Sequence, residues 1–133
     1  MSAPPNIASA VVTLHRCVAQ AGLGADLIGL ARLRVAQIHR CDARIDTHFL
    51  SLIGASVSME KLASVAHWRE SGTALAPSEQ ATLAWAEALA PRTAPPISDA
   101  LHQQIAAVLG HEQLVGLSLA IALENALSRT RWP

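Results

Sequence analysis

Apolar residues recur along this chain at the three- and four-residue spacing of a helix, not at the two-residue spacing of a strand. Val11, Leu14, Val18 and Ala21 mark the first stripe, closed by Gly22 and Gly24, and Cys17 lies on it and is expected in the core. Asp26 is placed to cap a second helix carried by Leu27, Leu30, Leu33, Val35 and Ile38. His39 to Asp42 form the junction to a third, through Ile45, Phe49, Leu52 and Ile53, which Gly54 ends. Ser58 starts a short helix containing Leu62, Val65 and Ala66, which runs through His67-Trp68-Arg69-Glu70 to the turn signal Ser71-Gly72. Pro77, Ser78 and Glu79 open the next, which reaches Leu89 before Pro91, Pro95 and Pro96 break it. Ile97, Leu101, Ile105, Val108 and Leu109 mark another, Gly110 interrupts, and Glu112 to Leu127 forms a last, mostly apolar helix. With no alternating run to argue for a sheet, the pattern predicts an all-α bundle of roughly six to eight helices, and the length predicts a single domain, 1–133.

Composition adds an expectation about assembly. Hydrophobic residues make up 51% of the chain and charged ones only 15%, with 3% aromatic, so the apolar content is Ala, Leu, Val and Ile. A mean hydropathy of +0.30 is high for a small soluble monomer, which predicts apolar surface buried in a homo-oligomer: a dimer, trimer or hexamer. Ten basic residues balance ten acidic ones, leaving no field to draw in nucleic acid. The first residues lack the charged and apolar regions of a signal peptide, and the longest apolar run, Leu114 to Leu123, falls short of a membrane span. Two cysteines without an export signal fit a cytoplasmic protein with free thiols. His39, Cys41 and His48 match neither CxxC nor HExxH, and no glycine-rich phosphate loop or GxSxG elbow is present, so neither metal nor cofactor is expected.

The candidate chemistry lies between Gln37 and His48. If this segment continues into the third helix, Cys41, Arg44 and His48 fall at i, i+3 and i+7 on one face. A cation and a helix N-terminus both favour thiolate, the nucleophilic form. Each residue also has a plainer role: a packed thiol for Cys41, a hydrogen-bonded core imidazole for His48, and a solvated or ion-paired side chain for Arg44. Arg32, Arg34, Arg40 and Arg44, set against Asp42 and Asp46, suggest an anion site or, more ordinarily, ion pairing on a helix surface or between subunits.

From Leu30 to His48 the chain resembles the core of alkylhydroperoxidase D, in which a helix ending in RLRVSQING-like residues leads to CxxCxxxH. The resemblance continues through Ala66 to Ser71, Ala84 to Leu89 and Leu117 to Asn125, covering most of the chain in order. It implies the all-α fold of the alkylhydroperoxidase D and carboxymuconolactone decarboxylase family, commonly trimeric or hexameric. In the redox branch, one thiolate of the CxxC pair attacks a hydroperoxide and the other resolves the sulfenic acid, with a lipoylated or thioredoxin-like partner as reductant. A glutamate twelve residues before the first cysteine and the histidine form its proton relay. Here Cys41 matches the first cysteine and His48 the histidine, whereas Arg44 occupies the second-cysteine position and Gly29 the glutamate position. The resemblance therefore implies an alkylhydroperoxidase-like antioxidant protein working through Cys41, with Arg44 and His48 beside it and an external thiol or lipoyl-protein reductant. Two alternatives stand beside it. One is a cysteine-independent enzyme like carboxymuconolactone decarboxylase, with Arg44 binding a carboxylate and His48 as acid or base; the other is a non-catalytic scaffold. Glu70 and Glu87 are candidates for an acid supplied from a partner subunit.

Overall fold

Residues 6–132 are described by a computed structural model, so the prolines at the start of the chain lie outside the described residues. The helices are α1 (Ile7–Ala19), α2 (Ala25–Ile38), α3 (Asp42–Gly54), α4 (Met59–Ser64), α5 (Pro77–Leu89), α6 (Asp99–Leu109) and α7 (His111–Arg129), with a 3-10 turn at Val65–His67 after α4. Among the described residues there is no strand, and the fold is all-α as the spacing predicts.

Local chemistry accounts for most of the helix starts. Asn6 and Ser9 exchange hydrogen bonds at the start of α1, Ser9 N–H donating to the Asn6 side chain at 2.9 Å. Ser58 accepts from Lys61 N–H and Ser98 from Leu101 N–H. Pro77 opens α5, where Glu79 reaches back to accept the Ala76 N–H at 2.8 Å. The start of α2 corrects an expectation: the capping residue is Gly24, and Asp26 lies inside the first turn. The tight link from α1 needs φ of +82° at Gly22 and +92° at Gly24, so the helix begins as soon as that turn is complete. Asp26 there still meets the positive end of the helix.

α2 occupies the centre, packed on α3, α5 and α7. Its Ile28, Ala31 and Val35 join Trp85, Ala86, Ile105, Leu117 and Ile121 in one apolar cluster. Leu30 and Leu33 join Leu52, Leu62, Val65 and Leu83 in a second. α1 lies at the margin and buries only Val18 fully. Its C-terminal end comes close to α7 at Gly116, where a Cβ would stand 2.6 Å from that of Ala21. Cys17, expected in the core, is exposed, because α1 is covered along one edge only. At Gly110 (φ +92°) the chain turns by 109° between α6 and α7. Among the described residues no single helix is long and apolar enough to cross a membrane.

Candidate functional site

The junction between α2 and α3 is set by backbone hydrogen bonds. Arg40 takes the left-handed conformation (φ +54°), Arg40 N–H donates to Gln37 C=O, and Cys41 N–H donates to Ala36 C=O at 3.1 Å. This is a Schellman ending for α2. The Cys41 carbonyl in turn accepts from the N–H groups of Arg44 and Ile45, so Cys41 closes one helix and caps the next. The residue is 2% exposed, and among the described residues its sulfur makes no hydrogen bond to Arg44 or His48.

Arg44 and His48 follow one turn apart on the buried face of α3, and both turn to Glu124 of α7. Glu124 Oε1 accepts from His48 Nε2 at 2.7 Å and from Arg44 Nη2 at 2.9 Å. Oε2 accepts from Arg44 Nε and from Ser128 Oγ. Arg44 Nη1 also reaches the carbonyl of Trp132 at 3.3 Å. With 1% of its surface exposed, Glu124 is a fully buried carboxylate held by four hydrogen bonds. Burial alone raises its pKa, but the hydrogen bonds from His48 and Arg44, reinforced by the His48 charge and Ser128, outweigh that and hold it down to about 2. An ionised Glu124 requires a donor at His48 Nε2, so that nitrogen carries a hydrogen.

Glu124 is not among the residues singled out from the sequence. A signal existed: it lies on the stripe of Leu117, Ala120, Ile121 and Leu127, all buried, and a carboxylate on such a stripe requires a buried cation. Glu87 clamps a different region. It pairs with Arg34 at 2.8 Å, accepts from Trp68 Nε1 and contacts Arg69, joining α2, α5 and the segment after the 3-10 turn. Glu70 is exposed. The four arginines near the motif do not converge, since Arg34 serves Glu87, Arg44 serves Glu124 and Arg40 is exposed.

Next to His48 lies a cavity of about 170 Å³ between α1, α2 and α3, lined among others by His15, Gly29, Arg32, His48 and Leu52, with Asp26 at its exposed edge. Cys41 and Arg44 do not line it. Leu52 leans over Gly29, where any Cβ would stand 2.6 Å from Leu52 Cδ2. His15 Nε2 is buried without a hydrogen-bond partner, and Arg32 forms no ion pair among the described residues. Burial lowers the pKa of His15, and the charge of Arg32 lowers it further. The same cause lowers Arg32, which still keeps its charge at neutral pH. No three His, Cys, Asp or Glu side chains among the described residues come together as a metal cage.

Residues 5–88 match the carboxymuconolactone decarboxylase family. YnjA, an uncharacterized protein of Escherichia coli (strain K12), is 33% identical over 100 residues, which cover 75% of this chain and 54% of YnjA. The chain thus spans about half the length of that curated relative. The crystal structure of an Agrobacterium tumefaciens protein of unknown function, put forward as the antioxidant defence protein AhpD, superposes with a TM-score of 0.81 at 28% identity, covering 96% of this chain and 86% of that one. The α2–α3 junction with Cys41 and His48 lies within the matched segment and Glu124 lies beyond it, and on this match the chain belongs to the carboxymuconolactone decarboxylase family.

Proposed function

We propose that the protein performs proton-transfer chemistry of the carboxymuconolactone decarboxylase kind, independent of Cys41, with His48 as the acid–base group and Glu124 as the residue that orients it. The observation that carries this reading is that His48, which lines a cavity from which Cys41 is absent, is held from behind by a 2.7 Å hydrogen bond between its Nε2 and the buried, ionised Glu124. A carboxylate that fixes the tautomer of an imidazole leaves the opposite nitrogen free to take a proton from a substrate and return it. Arg44 fits less well as a ligand for substrate, because its fork is already filled by Glu124. Peroxidase action through Cys41 is disfavoured on two counts. A buried thiol is poorly placed to meet a hydroperoxide, and the position of the second motif thiol is filled by a paired arginine.

Two assays on the same preparation test this. Small carboxylated lactones are incubated in deuterated water and exchange of carbon-bound hydrogen is followed by NMR, while consumption of an organic hydroperoxide is followed with a thiol reductant. Exchange that survives Cys41→Ser and is lost in His48→Gln is the expected result. Hydroperoxide consumption faster than that of a free thiol and abolished by Cys41→Ser would overturn the reading.

A further inference from the structure

We propose that the cavity beside His48 is a monocarboxylate site in which Arg32 and the imidazole of His15 hold the ligand's carboxylate, and that binding takes up one proton at His15. This rests on the acid–base reading above and adds the groups that hold the ligand's carboxylate, the ligand's single charge and the linkage to pH.

His15 and Arg32 come from different helices, α1 and α2, and line the same cavity. Each is incomplete by itself. The Nε2 atom of His15 is buried without a partner, a state that is unfavourable until something supplies a hydrogen bond. Arg32 is desolvated and carries a positive charge that no carboxylate among the described residues balances within ion-pair distance. One ligand group satisfies both: a carboxylate, with two oxygens to accept from a guanidinium and an imidazolium.

The charged surroundings define the ligand's charge. The groups acting on His15 are Arg32 from α2, Arg44 and His48 from α3, and Glu124 from α7, with Asp26 of α2 at the cavity's edge. Glu124 is committed to Arg44 and His48, so the excess charge facing the cavity is that of Arg32. One unpaired cation, with a carboxylate at the edge, suits a monoanion better than a phosphate dianion. The size fits as well, since cavities of about 150 Å³ hold a benzene ring.

The proton follows from the same geometry. Unliganded, His15 is neutral at pH 7, because its burial and Arg32 both disfavour the imidazolium. An anion placed between the two cations reverses the balance and favours the protonated ring. The proton comes from solvent and goes to the imidazole, so the bound state gains one proton per carboxylate.

Benzoate is the probe. It is titrated into the protein by calorimetry at pH 7 in two buffers of different ionisation heat, with benzyl alcohol as the uncharged control. The expected result is saturable binding of benzoate alone and proton uptake approaching one per site. Arg32→Gln is expected to weaken binding by about tenfold or more, and His15→Gln to abolish the uptake. Absence of benzoate binding, equal binding of benzyl alcohol, or uptake unchanged in His15→Gln would each overturn the proposal. Should a variant fail to fold, the wild type decides by NMR: benzoate must raise the titration midpoint of the His15 ring by about one pH unit. An unmoved midpoint rejects the site. Benzoate binding without any carbon-bound hydrogen exchange would remove the acid–base reading and leave the anion site standing; exchange without benzoate binding would do the reverse.

Discussion

Glu124 of α7 holds Arg44 and His48 of α3, 80 and 76 residues away in the chain, and its removal has a calculable cost. A buried ion pair contributes little net stability when whole, but breaking one strands a charge in the interior at about 3–5 kcal/mol. Glu124→Ala leaves the Arg44 guanidinium, whose side chain is 7% exposed, without its carboxylate. Urea unfolding is expected to show a loss in that range, and a loss under about 1 kcal/mol would mean that water replaces Glu124 freely. Arg44→Cys restores a CxxC spacing with Cys41, yet it leaves Glu124 with only His48 and Ser128. We expect it to be destabilised by several kcal/mol, which a melting curve recorded before any redox assay would show. The pH dependence follows from the same residue. The folded-state pKa of Glu124 is depressed from 4.5 to about 2, so its contribution to stability is fully present above about pH 4.5 and is lost as pH falls toward 2. The urea midpoint of the wild type should decline across that window. Glu87, also lowered, adds to the decline, so the diagnostic is a shallower slope in Glu124→Gln.

At the scale of helices, starts are more legible in the sequence than stops. Ser58 and Pro77 announce α4 and α5 through their own side-chain chemistry, and both helices begin beside them. Ends depend on a single backbone angle, and here three of them fall on residues with a Cβ: Arg40, Ser56 and Arg131, at φ of +54°, +68° and +57°. Gly54, expected to end α3, is its last helical residue, yet it is not the residue that takes the left-handed angle. The turn comes at Ser56, where Ser56 N–H meets Ile53 C=O and Val57 N–H meets Leu52 C=O. A glycine-based rule misses such ends because packing after the turn, not the residue's own preference, holds the strained angle. One consequence is measurable. Arg40 is exposed, its side chain makes no hydrogen bond among the described residues, and its left-handed backbone disfavours any Cβ. Arg40→Gly is therefore expected to stabilise the protein by about 1 kcal/mol, seen as a rise of a few degrees in melting temperature. A fall would mean that the cost of ordering glycine exceeds the strain relieved.

Across the whole molecule, what periodicity conveys is which residues face inward on a helix, not whether that helix is covered. The all-α architecture and the central α2 were legible for that reason, with Leu30, Leu33 and Val35 wholly buried. Cys17 was not, since its exposure depends on how far α7 shields α1, and neither was the pairing of Arg44 with Glu124, which joins residues 80 apart in the chain. The same incomplete covering bears on assembly. Leu14 of α1 and Val115 and Leu119 of α7 are 43–52% exposed, and Cys17, Val18, Val115 and Leu119 line one cleft between these helices. A mean hydropathy of +0.30 and a net charge of zero offer little to keep such surface apart in water. We propose that a second copy of the chain covers it. Sedimentation of the wild type should give a mass above that of one chain, and the pair Val115→Glu with Leu119→Glu should lower the mass. Helix content should stay unchanged, because both positions face outward and core packing does not depend on them. If the wild type sediments as one chain at tens of micromolar, the proposal fails, and this surface joins the exposed apolar area that a monomer tolerates.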